Sequence, residues 1–588
     1  MSAFADFLVT FGAPTTAPPT RRPENAWRPA GALHLVWSAS LAADAASTLV
    51  QTRDVAPWSV WLLGELTRYE SLSTPSDPLG AFVLDLRSGG EKPAALDGHF
   101  ILFGWNADAR EWHVWTNRFG TMHAYVGLGA RRAALGTFHP AVSSVIGAQK
   151  LDWVGLSGFF AMGFFPEDRT HFERVRILRP AMHYVFGDDA VAKKAERYWQ
   201  WTHTPERAPD FEIVLEQFGT TLGDVLRDET AGKRTAVPIS GGLDSRTVAA
   251  LLTEEPREGL WLYSYGYDQH SEETRIARRV AKARGLPCES YVVGEYLFDR
   301  MHEVLAATEG FNDVTQTRQT AITGDLASHA DTVVAAHWGD VWLDDCGVSD
   351  HHSSSAEDAD LAAAKMMKGG RAWLLDHLCA PQLGVDPERE VREGIGRELS
   401  RLQHIEDRDF RVKALKTDSW SFRWTTVGLR AYQLGVFPKL PFYDTRLTDL
   451  FCTLPTKYVR GRRLQIEWLT RYASDLARIT WQAHDANLYL YAYAKSLLLP
   501  KRALKKAWRM LRGTQVIERT WEVQFLSPAG RSALHGALLR PGLRVHEFAS
   551  PALIRELLEH FFARPLEGKR GYTVSMLLTF SAWLERYA

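Results

Sequence analysis

Hydrophobic residues between positions 31 and 187 fall in short runs of aromatic and β-branched side chains, separated by turn residues. Runs of this kind predict β-strands. The stretch Asn106–Glu111 joins two of them and predicts a hairpin. A longer run at Leu151–Phe160 predicts a helix. We therefore expect a β-rich N-terminal part whose strands include Leu33–Trp37, His99–Trp105, Trp112–Trp115 and Ala134–Phe138.

The pattern changes beyond residue 210. Phe211–Leu226 carries apolar residues at helical spacing. After it, short apolar runs alternate with helices, and the helix Ser271–Ala283 begins with a serine suited to its N-cap. This alternation predicts an α/β fold with a doubly wound parallel sheet. Its predicted strands are Ala236–Ile239, Leu260–Tyr267, Tyr291–Val293 and Thr332–Ala336.

The length of 588 residues is too great for one hydrophobic core, so more than one domain is expected. A polar stretch at 188–210 predicts a linker between a domain at 1–187 and a domain at 211–588. From Asp407 onward, amphipathic segments rich in Arg, Trp and Leu predict a helical C-terminal extension. The polar stretch Asp350–Asp358 predicts an exposed loop, and the basic stretch 501–520 predicts a solvated helix face.

The overall charge narrows the function classes. The net charge of −1 gives no general attraction to nucleic acid or to a membrane surface, and no apolar stretch is long enough to span a bilayer. Four cysteines are scattered without metal-ligand spacing, which favours a reducing cytoplasm over a disulfide framework. The first residues lack the basic stretch of a secretory signal peptide. We expect a cytoplasmic protein with no nucleic acid or membrane partner; its oligomeric state is not indicated.

One stretch carries the strongest chemical signal. Ser240-Gly241-Gly242-Leu243-Asp244-Ser245 follows a predicted strand and opens a predicted helix. Backbone N–H groups at such a helix start attract anions, and glycine lets the backbone approach a ligand closely. A carboxylate such as Asp244 suits this anion site if it binds a metal ion that bridges to phosphates. The stretch lacks the Lys of the P-loop, and its structural alternative is an ordinary strand-to-helix turn.

One further segment is expected beside this loop, because ligands of parallel sheets bind at the carboxyl ends of the strands. His337–Asp345 follows a predicted strand, and its Asp340 is a second candidate ligand for Mg²⁺. Taken alone, Asp340 has the alternative role of a helix N-cap. In the segment Glu309–Thr320, the guanidinium of Arg318 can bind a pyrophosphate or a carboxylate through two parallel hydrogen bonds, the alternative being a surface arginine.

These segments resemble the asparagine synthetase family of ATP pyrophosphatases. Ser240–Ser245 resembles its pyrophosphate loop, Gly339-Asp340 its "G-G-D-E" motif, and Asp313–Arg318 its "D-V-T-T-I-R" stretch. Phe437–Leu447 resembles its "R-x-P-F-x-D" segment, with Lys439 at the family's Arg and Phe437 at its Glu. The segment Ala477–His484, where the family carries a catalytic Lys, has none. The resemblance implies ATP and Mg²⁺ as cofactors, Asp244 and Asp340 as metal ligands, nucleotide binding at Ser240–Ser245 and Gly339, and catalytic roles for Asp313, Arg318 and Lys439.

The N-terminal part resembles the glutaminase domain of the same family. Leu96–Trp105, Asn117–Tyr125 and Val175–Tyr184 follow the family's order, which implies a β-sandwich of the Ntn-amidohydrolase type. The family's nucleophile is an N-terminal Cys, but the first Cys here is Cys288, and Leu63-Gly64-Glu65 stands where the family has "N-G-E". We therefore predict a domain without glutaminase activity. The alternative is Ser2 acting as the nucleophile after removal of Met1.

The resemblance implies an AMP-forming carbon–nitrogen ligase, which adenylates a carboxylate and lets an amine attack the product. Family members without the Cys include β-lactam synthetases and lasso peptide cyclases. A macrolactam cyclase with a precursor peptide or protease partner is therefore one specific expectation. An asparagine synthase or a metabolite or sugar amidotransferase using ammonia is an alternative. A non-catalytic ATP-binding scaffold is another.

Overall fold

The structure is a computed structural model, and it describes residues 4–11, 18–21, 27–29, 36–39, 49–69, 77–187, 191–253, 258–268, 271–348, 355–493, 517 and 519–588. It is an α/β protein with two antiparallel sheets, one parallel sheet and many helices. None of the helices within these ranges is both long enough and apolar enough to cross a membrane.

The N-terminal part contains two six-stranded antiparallel sheets, in the order β10-β8-β9-β1-β3-β2 and β12-β11-β7-β6-β5-β4. The predicted strands near 99, 112 and 134 are confirmed, and so is the hairpin that pairs Asn106 with Glu111. Of the strand predicted at Leu33–Trp37, residues 33–35 lie outside the described ranges. The strands are β1 (Phe7–Phe11), β2 (Trp27–Pro29), β3 (Val36–Ala39), β4 (Val50–Val55), β5 (Trp58–Tyr69), β6 (Leu96–Asn106), β7 (Glu111–Thr116), β8 (Tyr125–Leu128), β9 (Ala133–Gly136), β10 (Val175–Ile177), β11 (Met182–Phe186) and β12 (Ala192–Arg197).

The two sheets pack face to face as a sandwich. Side chains alternate along a strand, so one face of each sheet supplies the apolar layer between them. Phe7 of β1 lies against Phe103 of β6 with ring centroids 4.6 Å apart. On the outer face of the second sheet, Phe82 of the helix Pro78–Ser88 packs edge-on against Trp115, at 5.3 Å.

The predicted linker at 188–210 differs from the prediction in its described part. Residues Ala192–Arg197 form β12, which pairs with β11 at the edge of the second sheet. The strand is exposed, and its charged residues, Lys193, Lys194, Glu196 and Arg197, are typical of a protected sheet edge. The N-terminal sheet therefore continues beyond the predicted boundary at residue 187.

The second part of the chain contains a five-stranded parallel sheet in the order β15-β14-β13-β16-β17. The predicted parallel sheet is confirmed. The last strand was not predicted, because it is three residues long and contains Pro438, which is tolerated at a sheet edge. These strands are β13 (Thr235–Pro238), β14 (Leu260–Gly266), β15 (Cys288–Val292), β16 (Thr332–Val334) and β17 (Phe437–Lys439).

Helices make up most of the remaining described chain. The helix Ser355–Met366 begins inside the stretch predicted as an exposed loop; residues 349–354 lie outside the described ranges, as does most of the basic stretch 501–520. A π-helical segment, Thr417–Thr425, continues the helix Arg408–Lys416 and bears on the site described below. The other main helices are Pro78–Ser88, His139–Ile146, Trp153–Met162, Phe211–Thr230, Asp244–Leu252, Glu272–Arg284, Met301–Thr308, Thr323–His329, Gly339–Trp342, Pro387–Ser400, Thr445–Phe451, Arg463–Tyr472, Pro528–Leu539, Pro551–Ala563 and Arg570–Tyr587.

Candidate functional site

The loop Ser240–Ser245 lies at the carboxyl end of the central strand β13. Its own hydroxyl groups close it: the Ser240 N–H donates to Ser245 Oγ at 3.1 Å, and the Gly242 N–H donates to Ser240 Oγ at 3.2 Å. The helix begins at Asp244, one residue earlier than predicted. The shape of the loop is therefore set by internal hydrogen bonds before any ligand enters.

A second segment of the chain lies directly against this loop. The Gln482 N–H donates to Gly241 O at 3.1 Å, and a Cβ added to Gly241 would lie 2.6 Å from Gln482 Cβ and would overlap Gln482 Oε1. Arg246, fully buried in the loop helix, donates to the backbone oxygens of Ile479 and Thr480 at 2.9 and 2.8 Å. The segment Ala477–His484, which lacks the Lys of the asparagine synthetase family, is thus held beside the loop. Glycine is required at position 241 because the backbone and side chain of Gln482 lie so close to it.

Asp244 is a partly buried carboxylate with two polar partners. Its Oδ1 accepts hydrogen bonds from Arg462 Nη1 at 2.6 Å and from Gln465 Nε2 at 3.0 Å. Burial raises the pKa of Asp244, the nearby Asp340 carboxylate raises it too, and Arg462 opposes both. A Cβ added to Gly339 would lie 2.9 Å from Asp244 Cγ. The turn that carries Asp340 therefore packs directly onto Asp244.

The two carboxylates fit a metal ion only as part of its coordination shell. No group of three or more His, Cys, Asp or Glu residues suited to a metal occurs in the described part of the chain. Mg²⁺ typically takes one or two carboxylates and completes its shell with phosphate oxygens and water. Asp244 and Asp340 match that donor set, and their mutual repulsion would be relieved by a cation.

The loop and both carboxylates line a cavity of about 370 Å³, which we call the nucleotide cavity. Arg318 lies on its wall with its guanidinium 4.6 Å above the Tyr265 ring, so it is not the exposed surface arginine of the alternative prediction. Burial lowers the pKa of His337 to about 4, so this imidazole is neutral at physiological pH. Further walls are aromatic and come from Trp338, Trp420, Trp424 and Tyr432.

A second cavity of about 440 Å³, which we call the acceptor cavity, adjoins the first. Both cavities are lined by Tyr265, Arg318, His337, Trp424 and Thr425, so they share a wall. Asp313 lines the acceptor cavity, but its oxygens are already engaged. Oδ1 accepts from the Thr315 N–H at 2.8 Å, and Oδ2 accepts from Ser575 Oγ at 2.8 Å. This carboxylate therefore fixes the local chain geometry.

Lys439 lies outside both cavities, contrary to the predicted catalytic position. It ends β17, is buried, and its Nζ forms an ion pair with Glu65 of β5; Lys233 Nζ also contacts Glu65, at 2.6 Å. Phe437, two residues earlier and on the same side of the strand, packs against His99 of the sandwich at 5.2 Å. The side chains at 437 and 439 thus face the N-terminal sandwich, because the register of β17 directs them there.

The N-terminal alternatives are only partly within the described chain. Ser2, the alternative nucleophile, lies outside the described residues. Gly64 has a φ of +91°, and Glu65 beside it is held by the two lysines. The glutamate of the "N-G-E"-like stretch is therefore occupied as a counterion.

Several residues of the site were missed from the sequence. Arg462 and Gln465 bind Asp244 from more than 200 positions away. A sequence signal for this segment exists in Arg460-Gly461-Arg462-Arg463. A turn glycine among basic side chains is typical of a segment that contacts phosphate groups. Lys368, Trp420 and Trp424 carried no comparable motif.

Comparison with known proteins finds a family match over part of the candidate site, which ends before Asp340. Residues 225–335 match the family model described as asparagine synthase, a range that contains the loop, β13 and β16. No curated protein gives a significant match to the chain.

Solved structures give only distant likenesses. The allosteric regulatory enzyme of purine biosynthesis shares 10% identity over 51% of this chain and 85% of its own, with a TM-score of 0.21. Glutamine phosphoribosylpyrophosphate amidotransferase from B. subtilis, complexed with ADP and GMP, shares 11% identity over 46% and 78%, with a TM-score of 0.19.

Proposed function

Because residues 225–335 match the family model described as asparagine synthase, we propose that this protein is an AMP-forming carbon–nitrogen ligase. ATP adenylates a substrate carboxylate with release of pyrophosphate. An amine then attacks the acyl-adenylate, and an amide and AMP result. The observation that carries the proposal is the pairing of Asp244 with Asp340 at a glycine-containing loop, in a cavity that shares a wall with a second cavity.

In the nucleotide cavity, the loop backbone and Ser240 would hold the phosphates, as at other helix N-termini that bind anions. Asp244 and Asp340 would hold Mg²⁺, which when bound supplies positive charge against the phosphate oxygens. Arg318 lies on the shared wall, where its guanidinium would hold the departing pyrophosphate or the substrate carboxylate. Neutral His337 adds no charge there.

The acceptor cavity would hold the substrate groups that become joined. Its volume of about 440 Å³ is within the range of small-molecule and peptide side-chain sites. Aromatic side chains supply much of its wall, from Tyr267, Trp424, Trp521 and Tyr572. This size and these aromatic walls favour a substrate larger than ammonia and aspartate. A peptide macrolactam cyclase, with a precursor peptide or protease as partner, is therefore the more specific form of the proposal.

The N-terminal sandwich is proposed to be an Ntn-amidohydrolase-like domain without glutaminase activity, and the parallel sheet to be of the ATP-pyrophosphatase type. The amine would then come from a source other than glutamine. Engagement of Glu65 by Lys233 and Lys439 supports a structural role for this part of the sandwich. We expect no release of glutamate from glutamine by the purified protein.

Isotope exchange between ATP and pyrophosphate tests the proposal. The full-length protein is incubated with Mg²⁺, ATP, labelled pyrophosphate and a panel of amino acids and acidic peptides. We expect Mg²⁺-dependent exchange with at least one carboxylate, and release of AMP. Formation of ADP would overturn the assignment, and ATP binding without exchange across the panel would favour the scaffold alternative.

Matched variants locate the chemistry in this site. Asp244→Ala and Asp340→Ala are each expected to abolish exchange, because each removes a carboxylate of the metal site. Asp345→Ala is the control, since its carboxylate accepts from the Gly347 N–H at 2.7 Å and does not line the nucleotide cavity. An active Asp340→Ala protein would remove that residue from the site.

A further inference from the structure

Lys368 is a lysine whose backbone is fixed and whose side chain enters the acceptor cavity. Its N–H donates to Ala161 O at 2.7 Å, at the end of the helix Trp153–Met162. Its carbonyl accepts from Arg371 Nη1 at 3.0 Å. These contacts hold the Cα of Lys368 in place, so the position of the amine depends only on its own side-chain rotamers.

The Lys368 amine lies against two tryptophans of the π-helical segment Thr417–Thr425. Nζ is 4.2 Å from the Trp420 ring centroid and 6.0 Å from that of Trp424. Trp420 lines the nucleotide cavity, and Trp424 lines both cavities. The amine is therefore next to the shared wall, where a group activated in one cavity meets a group held in the other.

No carboxylate forms an ion pair with Lys368 in the described part of the chain. Asp313, in the same cavity, has its oxygens occupied by Thr315 and Ser575. The other charged groups of the two cavities are of both signs: Arg318 and Arg519 line the acceptor cavity, and Lys416, Asp244, Glu273 and Asp340 line the nucleotide cavity. None of these carboxylates forms an ion pair with Lys368 in the described ranges. A cation at Nζ is thus stabilised only by the faces of two indole rings.

This environment favours the neutral amine. Burial, and then the charge of Lys416, lower the pKa of Lys368 to about 8. A neutral amine near physiological pH can accept a proton, and general bases work best when their pKa is close to the working pH. An ordinary exposed lysine remains protonated under the same conditions.

We propose that Lys368 is the general base of the amide-forming step, a role that rests on the proposed ligase function. The acceptor nitrogen uses its lone pair to form a bond to the acyl carbon of the acyl-adenylate. The bond from that carbon to the AMP oxygen breaks, and its electron pair leaves with AMP. The proton lost by the nitrogen passes to Lys368 Nζ, which later releases it to solvent.

Pulse labelling with acetic anhydride tests the state and access of Lys368 without any substrate. The full-length protein is labelled between pH 6 and 10, and the modified peptides are quantified by mass spectrometry. Lys368 is expected to label with a midpoint near pH 8, well below that of Lys150, whose side chain is 79% exposed. A midpoint equal to that of Lys150, or no labelling at any pH, would overturn the proposal.

Variants separate this role from adenylation. Lys368→Arg keeps the cation but cannot act as a base near neutral pH. With a carboxylate that supports exchange in the wild type, the variant is expected to retain ATP–pyrophosphate exchange within about threefold and to lose amide formation about 100-fold or more. Hydroxylamine, which is unprotonated at neutral pH, should still trap the acyl group as a hydroxamate. Lys365→Arg, in the preceding helix, is the matched control.

The outcomes distinguish the two proposals. Normal amide formation and an unchanged pH profile in Lys368→Arg would overturn the base role and leave the ligase function intact. Absence of exchange by the wild type across the carboxylate panel would overturn the ligase function, and the role of Lys368 with it. Loss of both exchange and hydroxamate formation in Lys368→Arg would show that the residue supports adenylation instead, which also overturns the base role.

Discussion

The Asp244 carboxylate and the Arg462 guanidinium form a hydrogen-bonded ion pair, with 2.6 Å between Oδ1 and Nη1. Burial and the neighbouring Asp340 carboxylate raise the pKa of Asp244, and Arg462 counteracts them. The arginine therefore helps to keep ionised, inside a cavity, the carboxylate that we propose to bind Mg²⁺. Arg462 is part of the site even though it does not line the cavity wall.

We expect Arg462→Met to weaken ATP–pyrophosphate exchange most strongly at acidic pH. Without the guanidinium, the pKa of Asp244 rises further, so protonation removes the metal ligand at a higher pH. A charge-assisted hydrogen bond is worth roughly 1.5–3 kcal/mol, so a loss of about tenfold or more is expected at pH 6.5. The pH profile of exchange measures this.

Arg463→Met is the control for that experiment. Arg463 is the next residue, and its side chain is 46% exposed and paired with Glu467 at 3.1 Å. This variant should keep the wild-type profile. If Arg462→Met also keeps it, Arg462 does not tune Asp244.

The glycines of the loop should respond differently to alanine. Gly241→Ala brings a Cβ onto Gln482, and overpacking of this kind costs about 1–3 kcal/mol. A Cβ on Gly242 would meet only Ser240 Oγ, at 3.3 Å. We therefore expect Gly241→Ala to lower the thermal unfolding midpoint of the free protein and Gly242→Ala to leave it nearly unchanged.

A second substitution checks the cause. Replacing Gln482 with glycine in the Gly241→Ala background removes the side chain that the new Cβ would strike. The midpoint should then recover toward that of Gln482→Gly alone. No recovery would show that the loss arises in the loop itself and not from the contact with Gln482.

The Glu65–Lys439 ion pair should stabilise the protein through mutual neutralisation. Burial raises the pKa of Glu65, but the charges of Lys439 and Lys233 outweigh this effect and lower the pKa overall. Breaking a buried pair from one side leaves an uncompensated charge and costs about 3–5 kcal/mol. We expect Glu65→Gln and Lys439→Met each to show a loss of this size in urea unfolding, and the double variant to lose less than their sum.

Lys233→Met is the comparison for the double-mutant cycle of Glu65 and Lys439. Its side chain is 37% exposed, so water replaces much of its interaction with Glu65. A loss of about 1 kcal/mol or less is expected. Additive losses in the Glu65 and Lys439 variants would contradict a direct coupling between the two.

Mild acid should destabilise the protein through its buried histidines. Burial lowers the pKa of His99, His139 and His183 to about 3, and that of His113 to about 4. In the unfolded chain a histidine titrates near 6.5, so between about pH 6.5 and 4 the unfolded state binds more protons. Stability is therefore full above about pH 6.5 and is lost as the pH falls through this window.

The size of the acid effect follows from the same pKa values. At pH 5.5 each such histidine costs about 1.4 kcal/mol, because one pH unit below the unfolded pKa corresponds to that free energy. The four together predict a loss of several kcal/mol between pH 7.5 and 5.5, measured by denaturant unfolding at each pH. Equal stability at the two values would contradict burial of these imidazoles in the neutral form.

The parts of the site that follow from local sequence could be predicted. The strand before Ser240 and the helix after it are encoded by adjacent apolar runs, and the structure shifts their ends by one residue. Ligands of parallel sheets bind at the carboxyl ends of the strands, and this rule predicted that Asp340 lies near Asp244. The two are close because β16 lies next to β13. These inferences needed only strand order and short-range patterns.

The parts that depend on distant packing could not be predicted. Arg462 reaches Asp244 from a separate helix, and no periodicity in the sequence reports that contact. Lys439 was assigned to catalysis from its motif position. Its direction is set by the register of a three-residue edge strand, which carries too few residues for a pattern. Lys368 enters its cavity through an irregular connection between helices, which likewise has no sequence signature.

The pairing of Glu65 with Lys439 also bears on how the chain is made. A ribosome synthesises Glu65 374 residues before Lys439, so the sandwich strand that carries the glutamate emerges long before its buried partner exists. Until then Lys233 is the cation available to the carboxylate, and the side that will face Lys439 is open to water. Closure of the sheet edge at β17 onto the sandwich therefore comes late in biosynthesis, after most of the polypeptide has left the ribosome.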